Sequence, residues 1–286
     1  MHRVIGICLC CLAISGCFRK WTMTGKELRI YYANKPKPVF FTIEKDLVKL
    51  FYAIAGADTL PPLVLIHGAP GAWYGSRIML DDTLLQKKFH ILAMDRLGYN
   101  KSRFKNKKRA VTSIVPQANA VMEVLRLNKS GKKGVLLGSS YGAPIAAQIA
   151  VMHPQKFRHL FLLAAAIDPD KEKFWWFHKY IRGGPLYWFL PRFIKTATDE
   201  KFAHVSELHK LEPLWKRLSI PVTMIQGGAD KIVDPSNIAY ARKQLAGKET
   251  EFIFFPGEGH MIRIRQSKIL QQILLKPSDS SFYKNK

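Results

Sequence analysis

The chain has 286 residues, of which 48% are hydrophobic, and this size and composition allow one large domain with a substantial core. Its 45 lysines and arginines outnumber its 21 acidic residues, and the net charge of +24 favours anionic surfaces. The basic residues are scattered, apart from a cluster at residues 105–109, and no nucleic-acid-binding motif accompanies them. A nucleic-acid partner is therefore not expected.

The N-terminal residues predict export of the protein. A basic start is followed by an apolar stretch over residues 4–14, which is too short to span a bilayer but has the length expected in a signal peptide. Residues 14–17, Ile-Ser-Gly-Cys, resemble a bacterial lipobox, in which the signal is cut before the cysteine and the cysteine is lipidated. The resemblance implies a signal peptide over residues 1–16, lipid on Cys17 and membrane lipid as a partner. A plain signal peptide or an uncleaved anchor is the alternative.

The cysteines fit this interpretation. All four lie within or directly after the predicted signal, so the exported chain would keep only Cys17 and could form no disulfide, cysteine-bound metal site or catalytic thiol. Because Phe18 rather than an aspartate follows the cysteine, the resemblance implies an exported lipoprotein in the outer membrane of a Gram-negative bacterium. Residues 17–38, with several lysines and prolines, are interpreted as the lipidated cysteine and a tether.

From residue 39 onward the apolar pattern predicts a sheet. Two strands rich in β-branched and aromatic residues come first, and continuous apolar runs typical of parallel strands buried on both faces follow them. The predicted strands are 39–43, 47–54, 61–66, 89–95, 134–137, 160–166, 221–226 and 251–255. Segments with helical spacing lie between the later strands. This alternation predicts an α/β fold with a mostly parallel central sheet and helices on both faces.

The alternation is interrupted once. Residues 168–218 are rich in aromatic and basic residues and lack strand alternation, which predicts a helical lid over the active edge of the sheet. Part of the aromatic set is expected to line a pocket for apolar acyl groups, and the rest to hold the lid on the core. The set is Phe174, Trp175, Trp176, Phe177, Tyr187, Trp188, Phe189 and Phe193. The polar residues 276–286 are predicted to be a disordered tail.

A short motif predicts the nucleophile. Residues 138–142 have the sequence Gly-Ser-Ser-Tyr-Gly and lie between an apolar strand and a helix of small residues. A serine on such a turn is held in strained backbone geometry above the sheet edge, and a Cβ on either flanking glycine would collide with the turn. Ser140 is therefore predicted to be the nucleophile of a nucleophile elbow.

Five motifs occur in the order found in the α/β-hydrolase family, which the chain resembles. They are residues 67–71 (His-Gly-Ala-Pro-Gly), 95–99 (Asp-Arg-Leu-Gly-Tyr), 138–142, 227–230 (Gly-Gly-Ala-Asp) and 257–260 (Gly-Glu-Gly-His). The resemblance implies an α/β-hydrolase core formed by residues 39–167 and 219–275, with the lid inserted between the two parts. The motifs are specific for the fold and much less so for the substrate.

The resemblance also implies a catalytic triad. A serine hydroxyl needs a base to attack an ester, and the base needs an acid that orients it. His260 matches the family's base and Asp230 matches its acid. Asp168, at the end of an earlier strand, remains an alternative acid, whereas Asp234 is expected to cap a helix.

The attacked carbonyl oxygen needs hydrogen-bond donors that are already in place. The backbone N–H of Tyr141 is one predicted donor, and Ala69 is expected to supply the second because Pro70 has no N–H. His67 is expected to form structural hydrogen bonds beneath this loop rather than to act as a base. Neither a cofactor nor a metal is expected.

Residue identities at the elbow narrow the expected function. Epoxide hydrolases and haloalkane dehalogenases of the family carry an aspartate where Ser140 stands, and proline iminopeptidases usually carry a tryptophan where this chain has Tyr141. The resemblance therefore implies a membrane-tethered serine hydrolase that cleaves small-molecule carboxylic esters of apolar acyl groups through an acyl-enzyme intermediate. A proline iminopeptidase-like aminopeptidase and an inactive membrane-tethered binding protein are the alternatives.

Overall fold

A computed structural model describes residues 22–45, 47–105, 110–174 and 185–276. The predicted signal peptide, Cys17 and nearly all of the predicted tail lie outside these ranges. Within the described ranges, no helix combines the length and apolar character needed to cross a membrane.

The described residues form a sheet of nine strands. These are β1 (Val39–Lys45), β2 (Val48–Ala55), β3 (Pro62–Ile66), β4 (His90–Met94), β5 (Arg103–Phe104), β6 (Gly134–Ser139), β7 (Phe157–Leu163), β8 (Val222–Gly227) and β9 (Thr250–Phe255). The strand order is β1-β2-β4-β3-β6-β7-β8-β9, and the short β5 pairs with β2. Strand β2 is antiparallel to its neighbours, whereas every pairing from β4 to β9 is parallel. The predicted mostly parallel sheet is confirmed.

Helices cover the sheet on both faces. They are α1 (Gly25–Tyr31), α2 (Arg77–Leu80), α3 (Thr83–Gln86), α4 (Ile114–Met122), α5 (Gly142–Met152), α6 (Pro185–Phe189), α7 (Arg192–Leu211), α8 (Asn237–Gln244), α9 (Ile262–Arg265) and α10 (Ser267–Leu275). Neighbouring residues of one strand belong to different cores: Leu65 packs in one hydrophobic cluster and Ile66 in the other. The continuous apolar runs in the sequence reflect this burial on both faces.

The segment predicted as a tether contains a helix. The Thr24 side chain accepts a hydrogen bond from the Glu27 N–H, and the Glu27 carboxylate accepts one from the Thr24 N–H, so a capping box begins α1. Tyr32 follows the helix and is buried against Trp73, with ring centroids 6.4 Å apart. The described end of the predicted tether is therefore packed on the core, and the Thr-x-x-Glu spacing was its sequence signal.

Between β7 and β8, the described secondary structure is helical. Helix α7 is followed by a 3-10 helix over Glu212–Arg217, and Trp215 within it is buried in the core. The short helix α6 carries Trp188 and Phe189, whose exposed fractions are 79% and 69%. Trp175, Trp176 and Phe177 lie outside the described residues.

Candidate active site

The predicted elbow joins β6 to α5. Ser140 has a backbone φ of 54°, in the left-handed region that costs energy for a residue with a Cβ. Its N–H donates to the carbonyl of Leu163 at the end of β7 (2.9 Å), and its carbonyl accepts from the Ala143 N–H (2.9 Å). These bonds hold the strained turn between the sheet and the helix.

The two glycines of the elbow are required by close backbone approach. A Cβ on Gly142 would lie 2.4 Å from the carbonyl oxygen of Ile66, at the end of neighbouring β3. A Cβ on Gly138 would lie 2.4 Å from the carbonyl oxygen of Gly142 itself. Both distances are far below van der Waals contact, so the collisions predicted from the sequence are found here.

The loop after β3 packs directly on the elbow. A Cβ on Gly68 would lie 2.9 Å from the Ser140 Cβ, so the backbone of this loop reaches the predicted nucleophile. Ala69, Ser140 and Tyr141 line one common cavity. The two residues predicted to supply oxyanion donors are thus brought to the serine.

His260 and Asp230 form a pair at the same edge of the sheet. The His260 Nδ1 lies 2.8 Å from Oδ2 of Asp230, whose side chain is fully buried. The other carboxylate oxygen accepts the N–H groups of Ile232 (2.8 Å) and Val233 (3.0 Å). The carboxylate is therefore held in position, and it orients the imidazole through Nδ1.

The two other candidate acids have different partners. The Asp168 carboxylate accepts from the Asp170 N–H (2.9 Å) and begins a short 3-10 turn, and burial raises its pKa. The Asp234 carboxylate accepts from the Ser236 N–H (3.0 Å) just before α8 and lies 3.2 Å from Lys173. These bonds, the one from Ser236 first, lower the pKa of Asp234 to about 2. Of the three acids, Asp230 is the one bonded to His260.

His67 has the structural role expected for it. Its Nε2 accepts the N–H of Arg96 (2.9 Å), and its Nδ1 lies 2.7 Å from the carbonyl oxygen of Gly68. An Nδ1–H tautomer satisfies both bonds. Burial, and then the neighbouring Arg96, hold the pKa of His67 well below its ordinary value, so the ring is neutral.

A buried ion pair behind this loop was not predicted. The Arg96 guanidinium binds Glu200 of α7 through both terminal nitrogens (2.6 and 3.0 Å), and it also donates to the carbonyls of His67 (2.8 Å) and Gly68 (3.1 Å). The Tyr99 hydroxyl donates to the same carboxylate (2.6 Å). Burial opposes the charge on Arg96, but Glu200 outweighs this effect and the pKa of the guanidinium is raised. The pair links the lid helix to the loop that carries Ala69.

A second histidine–carboxylate pair lies on the lid side of the cavity. Glu172 and His204 both line the cavity that contains Ser140, and the His204 Nδ1 lies 2.8 Å from the Glu172 carboxylate. Lys201 binds the other oxygen of Glu172. The sequence signal for His204 was helical spacing: Glu200, His204 and Leu208 lie on one buried stripe of α7.

The five described members of the predicted aromatic set do not line this cavity. Phe174, Tyr187, Trp188, Phe189 and Phe193 are all absent from its described walls. Instead Tyr187 donates from its hydroxyl to Asp199 (2.8 Å), and Phe174 packs on Phe202. Composition indicated an aromatic lid, but it did not indicate which way the rings face. Within the described ranges, no group of three or more histidine, cysteine or acidic residues could hold a metal ion.

The strand-turn-helix that carries Ser140, at the carboxyl edge of a mostly parallel sheet, defines a protein of the α/β-hydrolase class. The family model for the alpha/beta hydrolase fold matches residues 61–214, and the chain belongs to this family.

Two individual relatives match this chain over less than half of its length. A 2-hydroxymuconate semialdehyde hydrolase from Pseudomonas sp. (strain CF600) is 31% identical over 109 residues, which cover 37% of this chain and 36% of the relative. Epoxide hydrolase 4 from Mus musculus is 25% identical over 126 residues, covering 43% of this chain and 33% of the relative. The matches thus span about a third of the length of these relatives.

Among solved structures, the chain is similar to a putative aryl esterase from Burkholderia cenocepacia. The TM-score is 0.68 at 17% identity, and the alignment covers 82% of this chain and 96% of that one. At this identity the likeness establishes the fold alone.

Proposed function

We propose that the protein is a serine hydrolase that cleaves carboxylic esters through an acyl-enzyme intermediate on Ser140. The observation that carries the proposal is the His260–Asp230 pair at the sheet edge where Ser140 stands on a strained elbow. A serine, a histidine oriented through Nδ1 and a buried carboxylate are the groups that acyl transfer requires.

In the proposed reaction, the Ser140 hydroxyl attacks the ester carbonyl while His260 removes its proton through Nε2. Asp230 keeps the Nδ1–H tautomer that leaves Nε2 free to accept this proton, and it stabilises the imidazolium that forms. The N–H groups of Tyr141 and Ala69 bind the oxyanion. His260 then protonates the departing alcohol, and a water molecule activated in the same way hydrolyses the acyl-enzyme.

The identity of the nucleophile distinguishes the proposed ester hydrolysis from the activity of the relative named as an epoxide hydrolase. The family's epoxide hydrolases carry an aspartate at the elbow, whereas this chain has Ser140. A serine gives an acyl-enzyme with esters.

The apolar part of the described cavity favours a short acyl group. Its walls include small and aliphatic residues from several loops and from α7, and its volume is about 80 Å³. These residues are Ala69, Ala166, Ala197, Ile232 and Val233. A short aliphatic chain can be buried against this surface, gaining roughly 0.8 kcal/mol for each methylene.

The proposal is tested by measuring kcat/KM for p-nitrophenyl esters from acetate to octanoate beside proline p-nitroanilide. We expect the esters to be cleaved far better than the anilide, with short esters preferred over octanoate. Faster cleavage of the proline anilide would support the iminopeptidase alternative, and cleavage of neither class would support the inactive binding protein.

We also propose that the protein is an exported lipoprotein held in the outer membrane through Cys17. The lipobox-like residues 14–17 support this proposal. Lipoprotein modification supplies more than one acyl chain, which is what stable membrane attachment requires.

Cys17→Ser is expected to abolish metabolic labelling by palmitate and to release the protein from the membrane fraction. Cys11→Ser is the matched control, because Cys11 lies in the predicted signal peptide and would be removed with it. Labelling that survives in Cys17→Ser, or that is lost equally in Cys11→Ser, would contradict the proposal.

A further inference from the structure

The lid side of the cavity at Ser140 is charged. Three lysines, Lys171, Lys173 and Lys201, line it together with two carboxylates, Glu172 and Asp234. The carboxylates are each bound by a lysine, since Lys201 pairs with Glu172 and Lys173 with Asp234. The third lysine, Lys171, leaves this wall with a net positive charge.

His204 adds a hydrogen-bonding atom to the same wall. The residue is only 1% exposed, its Nδ1 is bonded to Glu172, and among the described residues its Nε2 is buried without a hydrogen-bond partner. Buried polar atoms are nearly always satisfied in proteins, so an unpartnered nitrogen on a residue that lines a cavity points to a ligand atom as its partner.

The position of His204 relates this nitrogen to the chemistry. Its ring lies 4.5 Å, centroid to centroid, from the ring of Tyr141, the residue whose N–H is proposed to bind the oxyanion. Because His204 and Ser140 line the same cavity, a ligand group held at His204 can belong to the molecule whose carbonyl reacts at Ser140. Lys171 lines the same cavity from the 3-10 turn after β7.

We propose that Lys171 and His204 bind a carboxylate carried by the substrate, so that the preferred esters are anionic. This inference rests on the proposed ester hydrolysis and names its substrate class. Nδ1 of His204 is bonded to Glu172, which leaves Nε2 as the ring atom that would donate a hydrogen bond to the substrate carboxylate. The Lys171 ammonium, which is exposed, supplies a second charged donor at the mouth of the site.

A purely structural role for these residues makes a different prediction. Glu172, Lys201 and His204 also tie the segment after β7 to α7, and a change at His204 could loosen the lid. Loosening of the lid would weaken the binding of neutral and anionic ligands alike. The ratio between two matched ligands therefore separates recognition from structural support.

The experiment is titration calorimetry on the full-length Ser140→Ala protein, in which no turnover is expected. The ligands are monomethyl glutarate and methyl valerate, which differ in having a carboxylate or a methyl group at one end. We expect monomethyl glutarate to bind about tenfold more tightly, as charged hydrogen bonds typically provide. Lys171→Gln and His204→Gln, each added to this background, should remove most of the preference.

Lys156→Gln is the matched control, because Lys156 is also exposed but precedes β7, at the opposite edge of the sheet. Equal binding of the two ligands would overturn the inference. The inference would also be overturned if the preference for the anion survives in Lys171→Gln and His204→Gln. It would likewise be overturned if the preference falls equally in Lys156→Gln, since the general positive charge of the protein would then explain the preference. Hydrolysis of p-nitrophenyl butyrate by the unmodified protein tests the ester hydrolase proposal separately, because the calorimetry needs no turnover.

Discussion

Replacing Ser140 with alanine is expected to lower kcat/KM for short p-nitrophenyl esters by roughly five to six orders of magnitude, as is typical when the nucleophile of a triad is removed. In the proposed mechanism the Ser140 hydroxyl forms the acyl-enzyme, and without it the His260–Asp230 pair has no nucleophile to activate for that step. Activity would be measured on protein whose thermal unfolding midpoint is unchanged.

Ser139→Ala is the matched control for this change. Ser139 is the neighbouring residue at the end of β6 and is buried to a similar extent, with 8% exposure against 9% for Ser140. Its removal should leave most of the activity. If Ser140→Ala keeps substantial activity, or if Ser139→Ala loses as much, the nucleophile has been assigned to the wrong residue.

Asp230→Asn is expected to lower kcat by about four orders of magnitude while the fold is kept, as observed when the acid of a triad is made neutral. The amide oxygen can still accept the N–H groups of Ile232 and Val233 that hold the carboxylate. The amide nitrogen would face His260 and favour the tautomer in which Nε2 carries the proton. That tautomer cannot accept the proton of Ser140.

The control for this prediction is Asp168→Asn. Asp168 is a buried acid in the segment after β7, and it stands at the family's alternative position for the acid. Its carboxylate accepts a hydrogen bond from the Asp170 N–H and forms no described bond with His260. We expect a small loss of stability and nearly full activity. Loss of turnover in Asp168→Asn with Asp230→Asn almost silent would show that the paired geometry is not the functional one.

The central part of the molecule was predictable because its physical requirements are local. Strands buried on both faces must be apolar throughout, and the elbow requires glycines where backbone from β3 and α5 approaches within 2.4 Å of the missing Cβ atoms. Each requirement leaves a mark within a few residues of sequence. The sheet and the places of Ser140, Asp230 and His260 on its edge could therefore be predicted.

The charged interior of the lid could not be predicted from local patterns. Glu200 and Arg96 are 104 residues apart, and nothing near either residue identifies the other as its partner. Glu172 and His204, 32 residues apart, pose the same difficulty. A buried ion pair depends on the tertiary contact that satisfies it.

The orientation of the aromatic side chains of the lid was the other feature that composition could not predict. Trp188 and Phe189 are apolar and lie in the predicted insertion, yet they are exposed, whereas Lys171 and His204 line the cavity. The short helix α6 offers too few residues for its buried face to be read from periodicity. The predicted acyl pocket was therefore placed on the wrong side chains among those the structure describes.

The most direct test of the account is to treat the purified protein with a fluorophosphonate probe and to map the adduct by peptide mass spectrometry. We predict a single phosphonylated residue, Ser140, with labelling abolished in Ser140→Ala and strongly slowed in His260→Ala. An adduct on Ser139, or labelling that persists in Ser140→Ala, would contradict it.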